Sequence, residues 1–170
     1  MQELSIKQND VAKTTMSTWR RVALILIVIA DVSLLAWGAM AALAPELLPG
    51  PGSVPILPAG YEGFTQHSWS ELTSTSPLTA EFITVVFRVY GAYIVAFGVL
   101  ALAIAATAFR RGESWAWWAL LAGNTIAYGS AMLYDRALGV IGPLEMSEYI
   151  GLGAIYLALA VTAPFLKREA

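Results

Sequence analysis

The stretch 82–109, FITVVFRVYGAYIVAFGVLALAIAATAF, decides how this chain is read. It carries a single charge, Arg88, in 28 residues. As an α-helix it extends roughly 42 Å, at ~1.5 Å per residue. That exceeds the ~30 Å hydrocarbon core of a bilayer and leaves room for tilt. A soluble helix packed on one side needs an apolar stripe, not an apolar circumference.

Working outward from it, three more runs share the character. Residues 22–44 are apolar except for Asp31. Residues 115–134 and 149–166 hold no charge at all. Over the whole chain 58% of residues are hydrophobic, against about 45–50% in soluble domains. The sequence therefore predicts an all-α integral membrane protein, an up-down-up-down bundle of four transmembrane helices. The first run ends in Ala42-Leu43-Ala44, which resembles a signal cleavage site. It is longer than the ~7–15 residues of a signal core, and Pro45 follows at once, so it is expected to stay as a span.

Lysine and arginine set the orientation. Eight of the ten basic residues, Lys7, Lys13, Arg20, Arg21, Arg110, Arg111, Lys167 and Arg168, fall on one side of the predicted bundle. The long loop 45–81 has none and carries Glu46, Glu62, Glu71 and Glu81. Both termini are expected in the cytoplasm of a bacterial inner (plasma) membrane. The order is then a tail 1–21, a span 22–44, an outer loop 45–81, a helix 77–109, an inner loop 110–114 and a span 115–134. An outer loop 135–147, a span 148–166 and a tail 167–170 complete it.

Within the long loop Pro45, Pro49, Pro51, Pro55 and Pro58 predict an extended first half. Ser68-Trp69-Ser70-Glu71 reads as a capping box opening a short helix near 69–75, with Trp69 as an interfacial anchor. Ser76-Pro77 is the start signal of the second span. Trp115, Trp117 and Trp118 read as an inner aromatic belt. Small residues every fourth position, Ala119, Gly123, Ala127 and Ala131 on the third span and Ala154, Ala158 and Thr162 on the fourth, predict close helix approach.

A net charge of −2 leaves no basic field for nucleic acid, and the absence of cysteine removes disulfide, thiol and cysteine–metal chemistry. No nucleophile elbow, P-loop, dinucleotide fingerprint or paired-histidine zinc motif is present. No catalytic constellation, cofactor or metal site is expected. His67 is the only histidine, and a metal there would need Glu62, Glu71, Glu145 or Glu148 to converge on it. Glu145 and Glu148 also stand three apart near Asp135, a spacing that suits acid–base work or merely a helix start.

The polar residues inside the spans are the informative ones, because a charge at a helix centre costs about 2.5–3.5 kcal/mol on insertion scales. Counted along their helices, Asp31, Asn124, Tyr93 and Tyr156 fall near mid-depth, with Arg88, Tyr90 and Tyr128 further out. The expectation is an Asp31–Arg88 ion pair inside the bundle, completed by Asn124 and the tyrosine hydroxyls. That layer serves as a register-fixing salt bridge, as the floor of an outward-opening pocket, or as a proton or ion relay, the last disfavoured because the inner half of the bundle holds no ladder of titratable groups.

The segments QHSWSEL (66–72), FRVYGA (87–92) and AFRRGESWAW (108–117) resemble a group of small bacterial four-helix membrane proteins of unknown function. The likeness covers about half the chain and implies a four-helix membrane fold. It carries no activity with it. The leading expectation is a non-catalytic accessory or scaffolding subunit, whose partners are the lipid bilayer and other membrane subunits or further copies of itself. The alternatives are a binder of a small lipid-like ligand, using Asp31, Arg88, Asn124, Tyr90, Tyr93, Tyr128 and Tyr156, and an enzyme acting on such a ligand with Asp31 or Glu148 as acid or base.

Overall fold

The computed structural model describes residues 2–51, 54–138 and 143–163; the expected tail 167–170 and the turn 139–142 lie outside it, as do the side chains of Lys7, Lys13 and Glu145. Helix α1 spans Gln2–Leu43, followed by a 3-10 turn Pro45–Leu47. Two short helices come next, α2 (Ile56–Thr65) and α3 (Trp69–Thr75). Helix α4 (Pro77–Ile104) runs into a π-helical turn, Ala105–Phe109; α5 is Ser114–Leu138 and α6 is Pro143–Thr162. No strand occurs among the described residues. The segments Thr18–Leu43 and Pro77–Phe109 are long and apolar enough to cross a membrane. The apolar part of α6, Met146–Thr162, is shorter. In α5 three tryptophans, two tyrosines, Asn124, Thr125 and Ser130 dilute the aliphatic content.

Helix α1 is the centre of the molecule. It packs along α4 on one side and α6 on the other, α6 packs on α5, and α4 and α5 meet only sparsely. The α1–α4 crossing is tight because three glycines stand in it. A Cβ on Gly91 would lie 2.5 Å from Ala42 N and 2.7 Å from Gly38 O, and one on Gly38 would lie 2.7 Å from Ile94 Cγ2. Gly98 faces Leu35. With no side chain between them the two backbones approach closely, the packing mode that works where lipid supplies no hydrophobic drive.

The small-residue stripe expected on α5 has a different part. The buried face of α5 is Ala116, Leu120, Asn124 and Tyr128. The stripe Ala119–Gly123–Ala127–Ala131 lies about 100° round the helix from it, and its residues are only half buried. On α6, Ala158 and Thr162 are buried with Ile155 and Leu159. Trp117 ties α5 to α6 by donating to the Leu159 carbonyl at 2.8 Å. Trp115 and Trp118 are exposed.

The loop after α1 is not extended throughout. Helix α2 forms with Pro58 in its first turn, where the missing N–H has no intrahelical acceptor to lose. Leu48, 2% exposed, anchors the segment in a cluster with Ala41 and Phe87, and Ile56 N donates to its carbonyl at 2.9 Å. Ser68 caps α3 by accepting from Ser70 N at 3.2 Å. The Trp69 N–H, one residue into the helix, goes to Glu62 Oε1 of α2 at 2.9 Å. Trp69 packs edge-to-face on Tyr61 with ring centroids 5.5 Å apart.

At the opposite end the α4–α5 turn closes on Gly112, whose φ of 78° only glycine adopts readily. The Arg20 guanidinium lies directly against Gly112. Arg20 and the Arg110–Arg111 turn therefore share one end of the bundle, and Glu46, Glu62 and Glu71 lie in the loop and helices at the other.

Candidate functional site

The Asp31–Arg88 pair does not form. On α4 the residues packed inward are Phe87, Gly91, Gly98 and Ala101. Arg88 is one residue, or about 100°, away from Phe87. Its side chain leaves the bundle and meets Glu46 at 3.8 Å, both side chains being about half exposed or more, at 47% and 63%. Depth placed the two residues near each other; helical phase separates them.

Asp31 is completely buried, at 0% exposure, and neither carboxyl oxygen has a hydrogen-bond partner. Asn124, equally buried, donates to the Leu120 carbonyl at 3.0 Å while its Oδ1 accepts nothing. Tyr128 bridges α5 to α1 by donating to the Ala30 carbonyl at 3.2 Å. With Thr162 of α6, these are the buried polar side chains among the described residues. Asp31 and Asn124 line none of the cavities described below. Asp31 is thus enclosed by protein on all sides.

The remaining tyrosines divide. Tyr156 bonds Thr125 at 2.8 Å on the α5–α6 flank, away from the others. Tyr90 and Tyr93 both face an open cleft between α4 and α5. The cleft exists because these two helices are each held by a different neighbour, α1 and α6, and touch each other little. At its inner limit Phe97 closes over Gly123, whose Cβ would lie 3.0 Å from Phe97 Cε2. From there an inner chamber of about 360 Å³ is floored by Leu34 and Trp37 of α1 and walled by Tyr90, Tyr93, Gly123, Ala127 and Ala131. The small-residue stripe of α5 thus makes room for the cleft instead of a helix contact. An outer chamber of about 420 Å³ continues past Tyr90 and Ser130, which line both, to Phe82 and Tyr134, with Leu57 of α2 over it. Along α4, from Phe97 to Phe82, the groove is roughly 22 Å long.

Glu148 of α6 lines the inner chamber. It also lines a groove of about 380 Å³ between α1 and α6, with Trp37 and Tyr128. Glu148 and Asp135 lie within electrostatic reach of the Tyr90 hydroxyl, and Asp31 and Glu148 within reach of Tyr128. Trp37, Phe87 and Tyr90 form an aromatic cluster, Trp37 standing edge-on to both partners at 6.1 Å. His67 is exposed in the turn between α2 and α3, its N–H donating to Thr65 Oγ1 at 3.2 Å. Among the described residues no three histidine or acidic side chains gather as a metal set.

Trp37, Phe97, Ser130 and the floor residue Leu34 were not singled out by sequence. Nothing in an apolar helix marks one aromatic as cavity-lining and another as outward-facing. The usable signal was indirect: the small residues of α5 imply that something occupies the space beside them.

No known protein family, curated protein or solved structure matches this chain. Its function has to be argued from the cleft.

Proposed function

We propose that this chain is a four-span integral membrane protein of the bacterial inner membrane, with both termini cytoplasmic, that binds a small amphipathic ligand in the α4–α5 cleft. The observation that carries the reading is the cleft itself. It has the size of a ligand site, about 300–1,000 Å³, its walls are mainly aromatic and aliphatic, and its few polar groups are Tyr90, Tyr93, Ser130, Tyr134 and Glu148. A mainly apolar groove with a few polar groups suits an amphipathic molecule that enters from lipid. The four-span count is supported by two long apolar helices and by α5 and α6 packed alongside them. The orientation is supported by Arg20 meeting the basic α4–α5 turn at one end.

A second reading, the accessory or scaffolding subunit, has one observation of its own. Gly129 of α5 and Gly153 of α6 face open space with nothing within 4 Å, leaving bare backbone to which another membrane helix can pack.

Native mass spectrometry of the protein released from membranes in gentle detergent separates the two. The expected result is the protein with a discrete bound small molecule that is missing from Ala127→Phe, a substitution into the cleft wall. A stoichiometric assembly with other polypeptides and no small molecule overturns the binding reading in favour of the subunit. The absence of cysteine makes topology simple to test: Thr73→Cys is expected to react with an impermeant maleimide on intact spheroplasts, and Ser114→Cys only after permeabilisation. Labelling of both from outside refutes the orientation.

A further inference from the structure

Among the described residues, Glu148 is the one charged side chain lining either chamber of the cleft or the neighbouring α1–α6 groove, and no lysine, arginine or histidine of those residues lines any of the three. Two basic residues stand near the cleft on its helices: Arg88 leaves α4 on another flank and meets Glu46, and Arg136 of α5, two residues past Tyr134, is exposed and lines none of the three. The inner chamber that Glu148 lines also presents four aromatic rings, Trp37, Tyr90, Tyr93 and Phe97. Asp135 and Glu148 both lie within electrostatic reach of the Tyr90 hydroxyl, two acidic groups on this side of the cleft.

We propose that the cleft selects amphiphiles with a compact cationic head, an ammonium or phosphonium carried on an apolar body, over neutral and anionic ones. This deepens the ligand-binding reading and rests on it. The physical case has three parts. A cation over aromatic faces gains from the ring quadrupoles, more so when desolvated. A carboxylate in the wall of a low-dielectric cleft attracts a cation far more strongly than it would in water. An anionic head meets no donor cation there and is repelled by the same carboxylate, so phosphate- and sulfate-headed lipids are excluded by charge. The hydrocarbon body then lies along the outer chamber, between Phe82 and Val86 of α4 and Leu57 of α2.

The test uses two ions of nearly the same size and shape and opposite charge, tetraphenylphosphonium and tetraphenylborate. Binding to the full-length protein in a non-ionic detergent is measured by titration calorimetry, with protein-free micelles subtracted. Tetraphenylphosphonium is expected to bind at least tenfold more tightly than tetraphenylborate. Glu148→Gln is expected to lose at least tenfold of the phosphonium affinity. Tyr93→Leu alters a ring that is 72% exposed, so folding is not at stake; it is expected to weaken the phosphonium several-fold and to decide the question if Glu148→Gln does not fold. Equal affinity for the two ions, unchanged phosphonium affinity in these variants, or no binding of either ion overturns the inference. Ala127→Phe distinguishes the two levels. If both ions bind equally and both are lost in Ala127→Phe, the cleft is a ligand site without charge selection. If phosphonium binding survives Ala127→Phe, the cleft reading itself fails.

Discussion

Replacing Gly91 by alanine tests the crossing on which the rest of the bundle is hung. The added Cβ would stand 2.5 Å from Ala42 N, 2.7 Å from Gly38 O and 2.8 Å from the Ala41 carbonyl carbon. Unstrained carbon contacts are about 3.5–4.0 Å, so α1 and α4 must part locally by about 1 Å. All three atoms are helix backbone and none can swing aside. Overpacking typically costs about 1–3 kcal/mol, occasionally more, and contact with backbone puts this site at the upper end. Removing a helical glycine returns about 0.5–1 kcal/mol. The expected net loss is about 2 kcal/mol or more. Two controls grade the argument. At Gly98 the nearest atom is the Leu35 Cβ at 3.1 Å, which needs a shift of only a few tenths of an ångström, so alanine there should cost about 1 kcal/mol or less. At Gly129 nothing lies within 4 Å, and alanine should be neutral or stabilise by up to about 1 kcal/mol. Unfolding in mixed micelles with rising dodecyl sulfate, followed by tryptophan fluorescence and circular dichroism, gives the order. Equal stability of Gly91→Ala and Gly129→Ala would refute the tight crossing.

Two further substitutions probe the charges. Arg88→Ala should cost at most about 1 kcal/mol in the same assay, since its partner is an exposed carboxylate at 3.8 Å; a loss above about 3 kcal/mol would mean that Arg88 compensates a buried charge after all. Asp31→Leu removes a fully buried carboxyl without hydrogen-bond partners. An aspartate at a helix centre costs about 2.5–3.5 kcal/mol where leucine gains about 0.5, and the larger side chain returns about 1–3 of this as crowding. A net stabilisation of about 1–2 kcal/mol is expected, and clear destabilisation would show that something in the membrane satisfies the carboxyl.

Much about this chain follows from residue order alone, because it depends on quantities that add along one dimension. Apolar length marks helices, as in Thr18–Leu43 and Pro77–Phe109. Start signals such as Ser68 act on the next turn of backbone and need no tertiary partner. Charge counts at the ends of apolar runs suggest sidedness.

What needed the tertiary structure was rotation and neighbourhood. An all-round apolar helix carries no stripe to announce which face turns inward, so nothing in its sequence separates Phe87, 7% exposed, from Arg88 beside it, whose side chain is 47% exposed. The partner of Arg88 came from the loop after α1 because α4 is held to α1 by glycines, and that contact fixes its rotation. Proline-rich residues 45–58 suggested extension, yet packing of Leu48 and Ile56 on the Trp37–Phe87 cluster made α2 worth forming. The small residues of α5 were visible from the start, but whether they face a helix or a cleft depends on α1 standing between α4 and α6. That order of neighbours is decided by which surfaces fit best in three dimensions, a comparison among all the helices at once that no single segment contains.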